Sequence, residues 1–257
     1  MEHKLLQESI REQLHRWIID GDLRPGQQVN LDSLARDLGV SIIPVREALH
    51  DLAARGLIVM ARHKSPSVVC LTPEEIEEVF LLRGKLEGLA ARVAATKRSP
   101  QLTEGLSAVL DEMESELKVG GQLSGAEFRA WRRKYLFLNK RFHDLINRAS
   151  GLPRLSSMID DLWALAHVSR NIDQQIPDRI REAVPEHKAI VRALEQGDGS
   201  LAEQLVAEHL ERGAKWLAPQ AGPPRRVAGA DSQTAEGMPE GRGQATACWQ
   251  LTLGQDS

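Results

Sequence analysis

The sequence is poor in aromatic residues and cysteines, has no long apolar run and has no excess of basic side chains. Phe, Trp and Tyr together make up 4% of its 257 residues. The two cysteines, Cys70 and Cys248, lie far apart and have no neighbours at metal-ligand spacing, which argues against a disulfide scaffold or a cysteine zinc site. No apolar stretch approaches the roughly 18 residues that a membrane span needs, and the N-terminus lacks a signal-peptide pattern. These absences predict a soluble protein of the cytoplasm.

The overall charge does not indicate a nucleic-acid-binding protein. The chain carries 33 Lys and Arg residues against 36 Asp and Glu residues, a net charge of −3. Any DNA binding must therefore depend on a local basic patch, helped by backbone amides and helix N-termini that also contact phosphates. An apolar content of 42% with 27% charged residues is typical of a globular chain that can bury one large core or two modest ones.

A helix-turn-helix pattern follows an amphipathic first helix predicted near residues 3–20. Asn30 can cap a short helix near 31–38, which ends at Gly39. A second helix is predicted over about 42–55, and Ser41 can cap it by accepting a backbone N–H. This pair of helices is the candidate DNA-reading unit of the chain.

The second helix of this pair has two faces of different character. One face is apolar at helical spacing, and it consists of Val45, Ala48, Leu49 and Leu52. Ile42, Arg46 and His50 recur four residues apart on another face, where they are free to enter a major groove. On composition alone, a helical hairpin buried in a larger bundle is the alternative interpretation.

The motif Gly39-Val40-Ser41-Ile42-Ile43-Pro44-Val45-Arg46-Glu47-Ala48-Leu49 resembles the signature of the GntR family of bacterial transcription regulators. The resemblance continues in residues 21–26 and 55–58, and it implies a winged helix-turn-helix domain that binds operator DNA. Ile42 and Ile43 stand where relatives often carry Arg and Thr. Apolar contact with thymine methyl groups is the natural replacement for the lost Arg–guanine contact.

Two short strands, near residues 57–60 and 67–71, are predicted to form the wing. Its tip carries Arg62, His63 and Lys64, which we expect to touch the DNA backbone or minor groove. An ordinary solvated hairpin is the alternative. The predicted DNA-binding residues are Ser41, Ile42, Ile43, Arg46, His50, Arg62, His63 and Lys64.

The fold class predicted for the whole chain is mainly α, a winged helix-turn-helix over 1–72 followed by an all-α antiparallel bundle over 73–218. The spacing of Thr72 and Glu75 predicts a capping box at the start of the second domain. The periodic pattern stops at Pro219, so residues 219–257 are predicted to be a disordered tail. The helices predicted in the second domain lie near 73–98, 102–117, 125–149, 154–172, 177–196 and 199–217.

Four polar residues interrupt or adjoin the apolar stripes of the second domain. Asn139 and His143 lie one turn apart on the same helix face, and His187 and His209 occupy stripe positions on two later helices. Three imidazoles and an amide oxygen suit a divalent metal, with zinc preferred and nickel or manganese as alternatives. A single histidine on an apolar helix face is usually a core residue whose ring nitrogens are hydrogen-bonded. Spacing alone therefore leaves open the alternative that these histidines are core residues and not metal ligands.

The second domain is similar to the FCD ligand-binding domain that follows the DNA-binding domain in the FadR-type subfamily. The similarity rests on residues 83–91, 139–143, 186–190 and 208–210. It implies a metal held by an Asp or Asn, then His, in a D/N-x-x-F-H motif, together with two later histidines. The matching positions in this sequence are Asn139, His143, His187 and His209.

An amide ligand in place of the family's frequent Asp leaves the metal charge uncompensated. We therefore expect a small carboxylate effector to bind at the metal. Arg83 matches a recurrent family arginine and could clamp the carboxylate bidentately, although an intrahelical pair with Glu87 is an equal alternative. Arg170 is a further candidate for the effector cavity.

These observations predict a homodimeric transcription regulator, a repressor in the family's commoner mode, that binds an inverted repeat and responds to a small organic acid. A DNA-binding protein with a purely structural metal site is one alternative. A metal-dependent hydrolase is another, but no clear general base accompanies the four ligands. The protein is accordingly not expected to be an enzyme.

Overall fold

A computed structural model describes residues 2–62, 64–120, 123, 125–169 and 176–221. The described chain is mainly helical, as predicted, with a winged helix-turn-helix followed by a helical bundle. In chain order, the elements are α1 (Glu2–Asp20), α2 (Leu31–Asp37), α3 (Ile42–Ala54), β1 (Ile58–Val59), β2 (Ser67–Val68), α4 (Pro73–Thr96), α5 (Pro100–Gly120), α6 (Gly125–Ala149), α7 (Pro153–Ser169), α8 (Ile176–Gln196), α9 (Gly199–Leu217) and a 3-10 turn (Ala218–Gln220). None of the described helices is long and apolar enough to cross a membrane.

The N-terminal unit packs α1, α2 and α3 over an antiparallel hairpin. Ile58 pairs with Val68, and Val59 pairs with Ser67. Each strand is only two residues long, shorter than predicted, because Val59 and Met60 are exposed and the run of buried side chains ends at Ile58. The apolar face predicted for α3 is buried in this unit's core.

The turn that precedes α3 depends on a glycine. Gly39 has a φ of +67°, a left-handed conformation that other residues adopt at a cost, and it ends α2 as predicted. Asn30 also caps α2 as predicted, since its side chain accepts a hydrogen bond from the backbone N–H of Ser33. The predicted cap at Ser41 is wrong in its side-chain part, because the structure shows no side-chain cap hydrogen bond at that residue.

α4 begins with the predicted capping box and becomes the central helix of the bundle. Thr72 accepts from the backbone N–H of Glu75, and the Glu75 carboxylate accepts from the backbone N–H of Thr72. α4 packs most extensively against α9 and also contacts α6, α7 and α8. Gly88 permits the close approach of α9, because a Cβ atom there would lie 3.1 Å from the carbonyl oxygen of Glu203.

α7 contacts both parts of the chain. Ala164 and Val168 are buried in the core of the N-terminal unit, and Leu165 packs against the same core. Trp163 belongs instead to a small buried cluster with Ile159 of α7 and Ala90 of α4. One helix therefore presents different side chains to the N-terminal unit and to the interior of the bundle.

The helix boundaries follow the predictions closely, with differences at two ends. α7 is described as far as Ser169, so the end of the helix predicted near 154–172 lies outside the described residues. The predicted tail starts with described structure, because Pro219 and Gln220 belong to the 3-10 turn and Ala218 is buried. Residues 222–257, the rest of that predicted tail, lie outside the described residues.

Candidate functional site

Three histidines from different helices meet in the interior of the bundle. His143 of α6, His187 of α8 and His209 of α9 each offer one ring nitrogen, and these atoms all lie within 4.8 Å of one another. Their residues are 1%, 0% and 5% exposed, respectively. The arrangement brings together the three imidazoles that were predicted to bind a metal, in a space that bulk water does not reach.

His143 is oriented by a carboxylate on α4. Its Nδ1 lies 2.8 Å from Oε2 of Glu87, an ion-pair distance at which the carboxylate favours the tautomer with the proton on Nδ1 and the lone pair on Nε2. His143 Nε2 is buried and has no hydrogen-bond partner among the described residues. Burial would raise the pKa of Glu87, but Arg83 and His143 outweigh it and lower that pKa to about 2. The orienting group is therefore an ionised carboxylate.

His209 is oriented in the same way by Glu186. Its Nδ1 lies 2.6 Å from Oε2 of Glu186, which places the proton on Nδ1. The same carboxylate accepts hydrogen bonds from Arg179 Nη2 at 2.8 Å and from Arg212 Nε at 2.7 Å. Two of the three histidines thus have the carboxylate partner that commonly supports a metal-binding imidazole.

His187 has neither ring nitrogen hydrogen-bonded in the described structure. Burial lowers its pKa well below the usual value, and the nearby His209 and His143 lower it further. The ring is therefore neutral with an available lone pair, the form that binds a metal. Two buried nitrogens without partners are costly in a metal-free interior, so this residue is the observation that best fits a bound cation.

Asn139, the fourth predicted ligand, is 6% exposed and lies one helical turn before His143 on α6. It lines the same cavity as His209. The structure therefore places Asn139 on a cavity wall that it shares with one of the three histidines, His209.

Arg83 is fully buried, and of the two alternatives considered for it the structure shows the pair with Glu87. Its Nε donates to Oε1 of Glu87 at 2.7 Å, so the intrahelical pair forms. Its guanidinium carbon lies 4.0 Å from the ring centroid of Trp163 and 5.1 Å from that of Phe80. Nη1 and Nη2 have no hydrogen-bond partner in the described part of the chain. The fork that could receive a carboxylate is thus held in place with its two amino groups unused.

A cavity of about 60 Å³ is lined by His209 and Asn139. Its wall combines two predicted metal ligands with side chains of α4, α6, α8, α9 and the 3-10 turn. The lining residues are Phe80, Tyr135, Leu136, Asn139, Arg179, Ile180, Ala183, His209, Leu210, Gly213, Trp216, Leu217 and Gln220.

The sequence prediction did not identify Glu87 and Glu186 as partners of the histidines, and it missed Arg179 at the cavity. The signal for Glu87 was present, because it follows Arg83 by one turn on a stripe otherwise filled by small and apolar residues. Glu186 and Arg179 gave no such signal, because their roles depend on how α8 and α9 pack. Arg170, the other predicted cavity residue, lies outside the described residues.

α3, the helix predicted to enter the major groove, exposes most of its predicted DNA-contacting side chains to solvent. Arg46 and His50 are exposed, and Ile43 is 62% exposed. Ile42 departs from the prediction of a freely accessible side chain, because it is half-buried and packs against the core of the N-terminal unit. Ser41 is exposed at the start of the helix.

The wing tip is described only in part. Arg62 and Lys64 are exposed, and His63 lies outside the described residues.

Two protein families match the chain in consecutive segments. The family described as bacterial regulatory proteins of the gntR family matches residues 6–69, and the FCD domain matches residues 78–212. The first segment contains α1 to the wing, and the second contains all three histidines.

Relatives named as transcription regulators align over most of the chain. The "Probable D-xylose utilization operon transcriptional repressor" of Paenarthrobacter nicotinovorans is 30% identical over 206 residues, which cover 78% of this chain and 84% of that protein. The HTH-type transcriptional regulator McbR of Escherichia coli is 25% identical over 217 residues, which cover 82% and 92% of the two chains. The solved structure of E. coli McbR/YncC has the same fold, with a TM-score of 0.67 at 24% identity over 84% of this chain and 99% of that chain.

The matched families cover both the DNA-reading helices and the histidine cluster, and the aligned relatives are transcription regulators. The chain belongs to the GntR family of bacterial regulatory proteins that carry an FCD domain, and it is a DNA-binding transcription regulator rather than an enzyme.

Proposed function

We propose that this regulator is a cytoplasmic repressor whose operator affinity is controlled by a small carboxylate bound at a metal ion in the helical domain. The observation that carries the proposal is the buried cluster of His143, His187 and His209, whose ligand atoms lie within 4.8 Å of one another. Repression, rather than activation, is supported by the name of the relative from P. nicotinovorans.

Asn139, His143, His187 and His209 would hold the metal, for which zinc is the first choice. Three imidazoles and one amide are all neutral ligands, so a bound divalent cation would attract an anion and supply Lewis-acid binding for its carboxylate. Arg83 supports the same preference, since two of its nitrogens are buried without partners. The chain's own residues then fix the imidazole orientations through Glu87 and Glu186.

DNA reading is proposed for α3 and the wing. Arg46 and His50 project from the exposed face of α3, and Ile43 offers apolar contact to a thymine methyl group. Arg62, His63 and Lys64 at the wing tip would contact the backbone or the minor groove. A homodimer would present two such units to an inverted repeat.

The described surface of α4 supports a dimer. Leu81, Leu82 and Leu89 are 62%, 45% and 37% exposed on the central helix of the bundle. Large apolar side chains that lie together on an exposed helix face often mark a site where another protein surface binds. We propose that a second copy of this chain covers them.

α7 offers a physical route from the effector site to the DNA-reading unit. Trp163 contacts Arg83, and its ring lies 5.6 Å from that of His143. Leu165 packs near Gly56, immediately after the recognition helix, where a Cβ atom would lie 3.5 Å from Leu165 Cδ2. A ligand bound at the metal could thus bias α7 through His143, Glu87 and Arg83. It would change DNA affinity only if it binds more tightly to one of two arrangements of the helices.

The first test combines operator selection with metal analysis. Full-length protein loaded with zinc is used to select duplexes from a random DNA pool, and an inverted repeat lost on Arg46→Ala but kept on Arg192→Ala is expected. Arg192 is an exposed arginine on α8, so it is a control for lost surface charge. No enrichment with wild-type protein would contradict the proposed operator.

Replacing the histidines separates a sensor from a structural metal site. We expect His143→Ala and His187→Ala to lose bound zinc, measured by mass spectrometry, and to lose the response to carboxylates while circular dichroism shows a folded protein. A variant that unfolds when it loses zinc would instead identify a structural metal.

A further inference from the structure

The cavity lined by Asn139 and His209 also contains a charged side chain, Arg179, to which the proposed carboxylate site assigns no role. Arg179 of α8 lines the cavity, and its side chain is 11% exposed. Its Nη2 donates to Glu186 at 2.8 Å and to the carbonyl oxygen of His209 at 3.2 Å. The guanidinium is therefore fixed directly beside a predicted metal ligand.

The second amino group of Arg179 is available for a ligand. Nη1 is buried and has no hydrogen-bond partner among the residues described. The neighbouring carboxylate of Glu186 accepts from Arg179, Arg212 and His209, and Arg212 also pairs with Glu208 at 3.6 Å. A ligand carboxylate placed against Nη1 would give this buried donor a partner in a charge-assisted hydrogen bond.

The remaining cavity wall is mostly apolar. Phe80, Leu136, Ile180, Ala183, Leu210 and Leu217 contribute apolar side chains to it. Of the polar groups there, Gln220 already donates its amide N–H to the carbonyl oxygen of Trp216. A ligand with many hydroxyl groups would lose its water contacts on this wall without replacing them, which is unfavourable. The wall therefore selects a ligand whose body is apolar.

The volume limits the size of that body. At about 60 Å³, the cavity is well below the roughly 150 Å³ that accommodates a benzene molecule in a protein core. A tail of about three or four carbon atoms fills this space, whereas a benzene ring or a long acyl chain would extend through its opening into solvent.

We propose that the effector is a short aliphatic monocarboxylate, with its carboxylate bound by Arg179 next to Asn139 and His209 and its apolar tail in the cavity. This inference rests on the proposed metal-dependent carboxylate response and specifies its ligand class. It assigns the recognition of the effector's charge to Arg179 in place of Arg83, which is not among the lining residues of this cavity. It assigns to the apolar wall the rejection of sugar acids and of polycarboxylates.

The test compares probes that differ in one property, using zinc-loaded full-length protein and isothermal titration. Butanoate is the expected ligand. Its polar counterpart is 2,3,4-trihydroxybutanoate, its uncharged counterpart is butan-1-ol, and octanoate tests the length limit. Butanoate is expected to bind at least about 30-fold more tightly than each of the other three probes. Trihydroxybutanoate loses the apolar contact with the wall, butan-1-ol loses the charge pair with Arg179, and octanoate is too long for the cavity.

Arg179→Met should weaken butanoate binding by about 10- to 100-fold, the usual range for losing a hydrogen bond to a charged group. Arg212→Met is the matched control. Arg212 also donates to Glu186, but its side chain is 45% exposed and it does not line the cavity, so its loss should change butanoate affinity less than about threefold. Zinc content, measured by mass spectrometry, should be unchanged in both variants.

Ala183→Leu tests the tail separately from the charge. Ala183 is 5% exposed and lines the cavity, so the larger side chain should fill the space for the tail. It should weaken butanoate binding by about tenfold or more while affecting acetate less, because acetate has almost no tail. The fluorescence of Trp216, another lining residue, should report filling of the cavity in the wild-type protein.

The outcomes distinguish the inference from the proposed function. Trihydroxybutanoate binding as tightly as butanoate, or equal effects of Arg179→Met and Arg212→Met, would overturn the inference while leaving a carboxylate-responsive regulator. Loss of zinc in Arg179→Met would also overturn it, by showing that Arg179 supports the metal ligands. Failure of every carboxylate to bind zinc-loaded protein would overturn both.

Discussion

Arg83 and Trp163 are in direct contact, with the guanidinium carbon 4.0 Å from the centroid of the indole ring. Arg83 belongs to α4 and pairs with Glu87, which in turn orients His143. Trp163 belongs to α7, whose Ala164 and Val168 are buried in the core of the DNA-reading unit. This contact joins the candidate metal site to the helix that supports the recognition helix.

Trp163→Phe should reduce the coupling between effector and operator while leaving both sites in place. The smaller ring remains apolar but loses part of the surface on which Arg83 stacks. We expect operator affinity within about threefold of wild type in the absence of effector, and a weaker change when effector is added. Fluorescence anisotropy of labelled operator DNA, titrated with and without effector, measures both quantities.

Met158→Leu on the same helix is the control for the tryptophan variant, since Met158 is 55% exposed. It should leave the effector response unchanged. A full effector response in Trp163→Phe would argue against transmission through this contact.

Glu87→Gln should weaken zinc binding by about 10- to 100-fold, the usual effect of removing the carboxylate partner of a metal-binding histidine. The amide keeps the size of the side chain but no longer supplies the charge that orients His143 and balances Arg83. Competition with a fluorescent zinc chelator measures the affinity. Glu78→Gln, at an exposed position of the same helix, should not change the zinc affinity. Equal zinc affinities in the two variants would show that Glu87 does not contribute to metal binding.

Metal removal should lower the melting temperature of the wild-type protein. A ligand that binds only the folded state stabilises it by about 2.7 kcal/mol when its concentration is 100 times its Kd. Chelation should also return His187 to a buried position in which neither nitrogen has a partner. Differential scanning fluorimetry with and without chelator tests this.

A His187→Ala variant should melt at the same temperature with and without chelator. If wild-type protein also melts at an unchanged temperature after verified zinc loss, the histidines do not hold a stabilising metal.

His15 should make the folded state less stable as the pH falls. Burial lowers its pKa, and the positive charges of Arg55, Lys140 and Arg11 lower it further. Because the unfolded chain takes up the proton near pH 6.5 and the folded chain only at lower pH, the full stability is present above about pH 6.5 and declines below it. Urea unfolding at pH 7.5 and pH 5.5 measures the change in free energy of unfolding.

His15→Gln removes this titration and should make the difference between the two pH values smaller than in wild type. An unchanged difference would mean that other groups produce the decline. Metal-free protein is used for both chains, so that proton competition at the histidine cluster is equal in the two.

The sequence predicted the helices well because their signals are local. Thr72 and Glu75 form the capping box, Asn30 caps α2, and Gly39 takes the left-handed conformation that ends that helix. Apolar spacing then distinguished buried from exposed faces along each helix. The cap at Ser41 and the free position of Ile42 could not be settled in this way, since both depend on how α3 sits against its neighbours.

What the sequence by itself determined is the set of elements and the identity of the polar residues on their buried faces, including His143, His187 and His209. What only the tertiary structure decided is which of these groups meet and which partners they have. Glu87 reaches His143 across 56 positions of the chain, and Arg179 reaches the cavity only because α8 packs against α9. Periodicity fixes the direction of a side chain on its own helix, whereas helix packing fixes what lies opposite it.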